Sequence, residues 1–193
     1  LFLLTKPPRE KIDRILDAQR DAPFSYPEVG ATRGAPPAGY RVDHNRVRLG
    51  AGAAVYERAV AALRRWDMFA IGWAELCWPA PIAPGTVVAV VAAFAGLWSI
   101  NPCRIVYVID EDDGRARRFG FGYGTLPAHE ARGEERFLVE WDRAGDGVWY
   151  EILAFSRPRG PLARVGYPAM RLLQRRFAAD SKIAMQRASA MIL

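Results

Sequence analysis

Cysteine and histidine are scarce in this chain of 193 residues, which carries two of each. Cys77 and Cys103 are too few for a disulfide framework. With His44 and His129 they form no metal-site spacing: there is no paired-cysteine motif and no histidine pair on one helix. The two thiols read as reduced and partly buried, the state expected of a cytoplasmic protein, and neither a metal nor another cofactor is expected. Long apolar runs are missing too. The longest candidate, residues 87–97, contains Gly96 and falls well short of the ~18 residues of a membrane span. The start, Leu1–Leu4 followed by Thr5-Lys6-Pro7-Pro8, lacks both the basic region and the apolar length of a signal peptide. The absence of Met at its head points to processing or trimming. Lysine is rare as well: 24 of the 27 basic residues are arginine, a bias that a GC-rich genome also produces.

What is present is a core-forming composition with unevenly placed charge. Half of the chain (51%) is hydrophobic and 25% is charged, which supports a folded body rather than a disordered tail. The formal net charge is +6. Residues 157–193 hold eight basic residues and one acid, Asp180, so the remainder is close to neutral.

Residues 6–20 predict a short amphipathic helix with Ile12, Ile15 and Leu16 on one face. Residues 22–39, with four prolines and three glycines, predict an irregular wrap. Tyr40–Leu49 reads as a strand ended by Gly50-Ala51-Gly52, and Ala53–Trp66 as a helix with Val55, Ala59, Leu63 and Trp66 at helical spacing. Six strands are then predicted: Met68–Trp78, Thr86–Ser99 bent at Gly96, Cys103–Asp110, Ala116–Thr125, Glu135–Trp141 and Gly147–Ser156. The short turns at residues 111–114 and 144–147 leave no room for crossovers, so the pairing is antiparallel. Gly160-Pro161 opens a final helical stretch, restarted at Pro168. Its arc of Gly166, Met170, Leu173, Phe177, Ser181, Ala184 and Ala188 lies opposite a stripe of Arg164, Arg171, Arg175 and Lys182. Residues 168–188 would span ~31 Å. This order predicts an α+β helix-grip fold, a strongly curved antiparallel sheet of about seven strands around a long C-terminal helix. Residues 1–39 form a helix and wrap, and residues 40–193 one domain.

Four stretches carry a family resemblance. They are Tyr40-Arg-Val-Asp-His44-Asn-Arg-Val-Arg-Leu49-Gly50-x-Gly52, Trp66-Asp-Met-Phe69-x-x-Gly72-Trp73, Phe121-Gly-Tyr123-Gly124-Thr125-Leu126-Pro127-x-His129-x-x-x-Gly133-Glu134-Glu135-x-Phe137, and Phe155-Ser156-Arg157-Pro158. Together they resemble the DUF1990 family, the UPF0548 proteins, over residues 20 to 188. The resemblance implies a Bet v 1/START-like fold with a cavity between sheet and last helix. It implies no activity, since that superfamily contains hydrophobic-ligand carriers as well as cyclases and other enzymes.

Several residues invite chemistry. Gly120, Gly122 and Gly124 alternate with Phe119, Phe121 and Tyr123, so one strand face is bare and open to another backbone, the last helix or a ligand. His129, near Glu130, Glu134 and Glu135, is either a general base or part of a polar hairpin loop. Glu75 and Glu151 lie in strands, either on a water-facing side or as polar anchors in a cavity, with Arg104 as a candidate partner for each. Glu75, Glu151 and His129 are thus the candidate catalytic residues. Trp73, Trp98, Arg104, Tyr107, Tyr123, Tyr150 and Phe177 are the candidate ligand contacts. The acidic run at residues 110–113 misplaces the glycine and glutamate of a calcium loop and reads as a solvated turn. The basic helix stripe fits an ordinary solvated face, an anionic surface or other acidic partner, or nucleic acid, for which no motif is present.

The expected function is binding of a small, apolar or amphipathic ligand in a cytoplasmic protein, with no nucleic-acid partner and at most peripheral membrane contact. An enzyme of the same fold and a module docking an acidic partner through the basic helix are the alternatives.

Overall fold

Side-chain alternation on the strands sorts this chain onto two faces of one antiparallel sheet. The computed structural model describes residues 2–77, 80–159 and 166–190. Its strands are β1 (Phe2–Leu3), β2 (Arg41–Ala51), β3 (Ala74–Cys77), β4 (Val87–Phe94), β5 (Leu97–Asp112), β6 (Ala116–Thr125), β7 (Ala131–Asp142) and β8 (Gly147–Pro158). The helices are α1 (Arg9–Gln19), α2 (Ala53–Arg64) and α3 (Tyr167–Ser189). The strand order is β2-β8-β7-β6-β5-β4-β3, with β1 paired to β5 off this path. The result is the expected helix-grip fold, a curled sheet of seven strands and a C-terminal helix.

The concave face holds the main core. Phe119, Phe121 and Tyr123 of β6 meet Phe137 and Val139 of β7, Tyr150 and Ile152 of β8, and Tyr56 and Leu63 of α2. Phe121 lies 5.4 Å from Phe137 and 4.8 Å from Trp66, ring centre to ring centre, and the Trp66 contact is edge-on. The C-terminal half of α3 joins this core with small residues that let the helix come close. Ala178, Ser181, Ala184, Met185 and Ser189 are buried, and Tyr150 shares a 2.9 Å hydrogen bond with Ser181. No described residue of α3 before Ala178 is fully buried.

The opposite face is covered by N-terminal residues. Ile12 of α1 packs with Cys77, Ala89, Val91 and Ile100. The Arg104 guanidinium donates to the carbonyls of Gln19 and Arg20 at the end of α1, where the helix has unpaired acceptors and partial negative charge. The wrap that follows lies on the bare glycine face of β6. A Cβ on Gly124 would stand 2.1 Å from the Tyr26 hydroxyl, and one on Gly122 2.6 Å from the Tyr107 ring. The wrap is tied down by Glu134, which is 3% exposed. Its carboxylate accepts from the Tyr26 hydroxyl (2.6 Å), the amides of Gly30 (2.7 Å) and Thr32 (2.9 Å), and the Thr32 hydroxyl.

Three expectations about the elements need correction. Thr86–Ser99 is two strands, joined by a tight turn at Ala95 (φ 48°) and Gly96 (φ 78°). Two consecutive left-handed residues reverse the chain, and an alanine in the first position hides that turn from a reading based on Asn, Asp and Gly. The segment from Met68 contains a 3-10 turn, Asp67–Phe69, and a strand confined to Ala74–Cys77. Trp78 lies outside the described residues, as do Gly160-Pro161 and Arg164. The loop of residues 125–135 is a tighter hairpin, because β7 already begins at Ala131.

Replacing Glu134 by alanine removes the acceptor of four hydrogen bonds, three of them buried. Glu134→Ala is expected to lower the unfolding free energy by about 3 kcal/mol in urea titrations and to speed proteolysis within residues 22–39.

Candidate functional site

Strand register sets the floor of the site. Tyr123 of β6 faces Glu135 of β7, Glu135 faces Ala154 of β8, and Ala154 faces Asp43 of β2. These four form one row across the concave face, with the small Ala154 in it. Over this row the N-terminal half of α3 stands away from the sheet, and a half-open cavity of about 860 Å³ lies between them. Its walls are largely apolar: Phe69, Val90, Phe94, Ile152, Met170, Leu173 and Phe177 all contribute. A volume of this size between otherwise packed layers has the dimensions of a small-molecule site.

Polar groups sit at defined places in the wall. Arg171 grips Asp43 with both terminal nitrogens, one of them at 2.6 Å, and this bonding holds the Asp43 carboxyl below its ordinary value. Gln174 accepts from Arg171 (2.7 Å) and donates to the Ser156 hydroxyl (3.0 Å). These contacts fasten the first turns of α3 to the sheet edge. Deeper, the Tyr123 hydroxyl donates to Oε2 of Glu135 at 2.9 Å. Burial pushes the Glu135 carboxyl up to about 7, and the Tyr123 bond only partly offsets it. Burial, with Glu135 beside it, drives the Tyr123 hydroxyl far above its ordinary value. At the rim, His129 accepts the Ala131 amide at Nδ1 (2.9 Å), which leaves its proton on Nε2. Burial lowers its pKa to about 4, so the ring is neutral at physiological pH. Among the described residues, no cluster of three or more His, Cys, Asp or Glu is placed to hold a metal.

The candidate residues divide between the two faces. Trp73, Tyr123, Phe177 and His129 line the cavity. Trp98 touches its edge, while its indole packs with the Ile12 cluster beneath the Lys6 ammonium. Tyr150 is buried in the core against Ser181 rather than in the cavity wall. Tyr107 lies on the convex side, its hydroxyl bonded to Thr32 and its ring under Arg33. Arg104 caps α1 and partners neither glutamate. Glu75 faces solvent and pairs with Lys6 at 2.7 Å. Glu151 faces outward and is paired with Arg136 and, at 3.2 Å, His44. In the basic stripe, Arg171 turns inward with a side chain 12% exposed, because Asp43 waits on the neighbouring strand. Arg176 lies 4.8 Å over the Trp73 ring, whose indole donates to Asp180.

Glu135 is the residue that spacing alone passed over. The signal was present, since Glu135, Phe137 and Val139 alternate on the core side of β7 while Glu134 takes the other side. A strand read as beginning at Glu135 obscures that pairing.

Comparison with known proteins agrees with this architecture. The family model described as "Domain of unknown function (DUF1990)" matches residues 25–184. A UPF0548 protein of Deinococcus radiodurans is 40% identical over 191 residues, covering 92% of this chain and 93% of that protein. One of Dictyostelium discoideum is 34% identical over 200 residues, covering 94% and 92%. A solved structure from Thermus thermophilus is similar with a TM-score of 0.53 at 14% identity, over 77% of this chain and 97% of that one. That likeness shows the fold.

The two half-buried titratable groups of the cavity wall have opposite effects on stability. Glu135 has a folded value near 7 against 4.5 in its ordinary state, so the stability it contributes is complete below about pH 4.5 and is lost as pH rises through about 7. His129, lowered from 6.5 to about 4, works the other way, and its contribution is lost as pH falls through that range. Subtracting one titration from another isolates Glu135. The Glu135→Gln variant is expected to match the parent near pH 4 and to exceed it by about 2 kcal/mol at pH 8 in urea unfolding. A difference that does not change with pH would place this carboxyl in water.

Proposed function

The chain belongs to the DUF1990 family of UPF0548 proteins, and we propose that it binds one small, mostly apolar ligand between the concave face and α3. The observation that carries this reading is the cavity itself, apolar over most of its wall and roofed by a half-helix with no buried residue of its own. Apolar walls supply affinity by removing ligand surface from water, and the few polar groups fix orientation. The same observation supports entry beside the first turns of α3, where Arg171–Asp43 and Gln174–Ser156 are the fastenings. A cytoplasmic location is proposed on Cys77 and Cys103, both buried and free. No helix among the described residues is long and apolar enough to cross a membrane.

One feature favours a second reading, in which the bound molecule is also transformed. Glu135, with a value of about 7, lies beside the Tyr123 hydroxyl, a pairing suited to moving a proton near neutral pH. Glu75 and Glu151 give this reading no support, since both face away from the cavity and are ion-paired.

Binding is tested with the fluorescent apolar probe N-phenyl-1-naphthylamine. The parent protein is expected to raise its emission saturably. Ala154→Trp, which fills the floor between Glu135 and Asp43, is expected to weaken binding at least about tenfold while the thermal midpoint moves by only a few degrees. Equal binding by both proteins would move the site elsewhere.

A further inference from the structure

Glu135 lines the concave side of the cavity without a counter-charge among the described residues. Among the described residues its hydrogen-bond partner is Tyr123, at Oε2, and no cation lies within ion-pair distance. Oε1 is left to the cavity. The other charged groups near this region are engaged elsewhere or stand at its rim. Asp43 stands two strands away, about 10 Å along the row, and is neutralised by Arg171. Arg171 is itself saturated by Asp43 and Gln174. Lys182 of α3 reaches Asn45 of β2, and Arg175 lines the cavity at its exposed rim. From the remaining elements, Tyr123 of β6, Cys103 of β5 and Tyr150 of β8 are buried and neutral, with ionisation pushed up by burial. His129, in the β6–β7 turn, is neutral above about pH 4. His44 is bound to Glu151 on the opposite face.

We infer that the ligand is an apolar molecule carrying one basic nitrogen, seated with that nitrogen against Oε1 of Glu135. The inference rests on the cavity reading above and adds the ligand's chemical class. A carboxylate buried among apolar groups costs desolvation energy, and an ammonium brought in on an apolar body supplies the missing charge while excluding water. An anionic ligand would meet the one arginine of the lining, Arg175, only at the exposed rim, and its charge would be repelled by Glu135 at the floor. A neutral hydroxyl meets Glu135 with a hydrogen bond but leaves its charge unpaired, so it is the natural comparison compound. Tyr123 holds the other oxygen and fixes the direction in which Oε1 points.

The test uses three probes with the same ten-carbon chain: decylamine, decanol and decanoate. Their binding to the parent protein and to Glu135→Gln is measured by isothermal titration calorimetry at pH 8 and pH 5.5. At pH 8 the parent is expected to bind decylamine about tenfold or more tightly than decanol, and decanoate most weakly. The amine advantage is expected to shrink to within about threefold in Glu135→Gln, and also in the parent at pH 5.5, where Glu135 is protonated. The second comparison does not depend on the variant folding. Decanol binding as tightly as decylamine at pH 8 would overturn the amine assignment and leave the cavity reading standing. An undiminished amine advantage in Glu135→Gln would also overturn it, since the recognising charge would lie elsewhere. Failure of all three probes to bind would overturn both.

Discussion

Adjacent residues of a β-strand point to opposite faces, and in β7 that rule places two neighbouring glutamates on opposite sides of the sheet. Glu134 goes to the convex side, where an N-terminal wrap supplies four donors and makes its charge a structural anchor. Glu135 goes to the concave side, where one tyrosine hydroxyl is its partner and burial raises its proton affinity. The two side chains have the same chemistry and differ in what the rest of the chain brings to them. The anchor depends on the wrap reaching β6 across bare glycines. The cavity residue depends on α3 standing away from the row it occupies.

The unequal halves of α3 follow from its sequence. Ala178, Ser181, Ala184 and Ser189 are small, so the helix approaches the core closely there, and Met185 fills what remains. Toward the N-terminus the same arc carries Met170, Leu173 and Phe177, which are larger and hold the backbone off the sheet. A helix wedged close at one end and held off at the other leaves a tapered space. Its open end is fastened by polar contacts whose strength is geometric, a bidentate arginine and one hydrogen bond from the Gln174 amide to the Ser156 hydroxyl. Contacts of this kind hold a position without filling a volume.

Much of the architecture is legible in the residues alone. The β6 alternation, the α2 spacing and the buried arc of α3 each repeat with the period of their element, and a repeated pattern survives an error at any one position. The Ala95-Gly96 turn does not repeat. Its reversal depends on an alanine held at positive φ by the strands on either side, a conformation that no residue type there announces. The candidate site fared less evenly. Trp73, Tyr123, Phe177 and His129 do line the cavity, whereas Arg104 and Tyr107 hold the N-terminal segment on the other face. Alternation shows that two residues lie on opposite sides, but the side that faces the cavity depends on the bulge between Ile105 and Tyr107.

The basic C-terminal segment makes the same division. The residues alone establish that positions 157–193 carry the excess positive charge, that a long helix lies there, and that one of its faces must be buried. Those properties depend on composition and on a period of 3.6 residues, which are local. The folded arrangement sets the rest: Arg171 leaves the solvent-facing stripe for Asp43, Arg176 covers Trp73, and Glu135 has no counter-charge among the described residues. Each of these is set by a partner brought from a distant part of the chain. Electrostatic outcomes follow distance and burial, and for such pairs neither quantity exists until the sheet has closed around the helix.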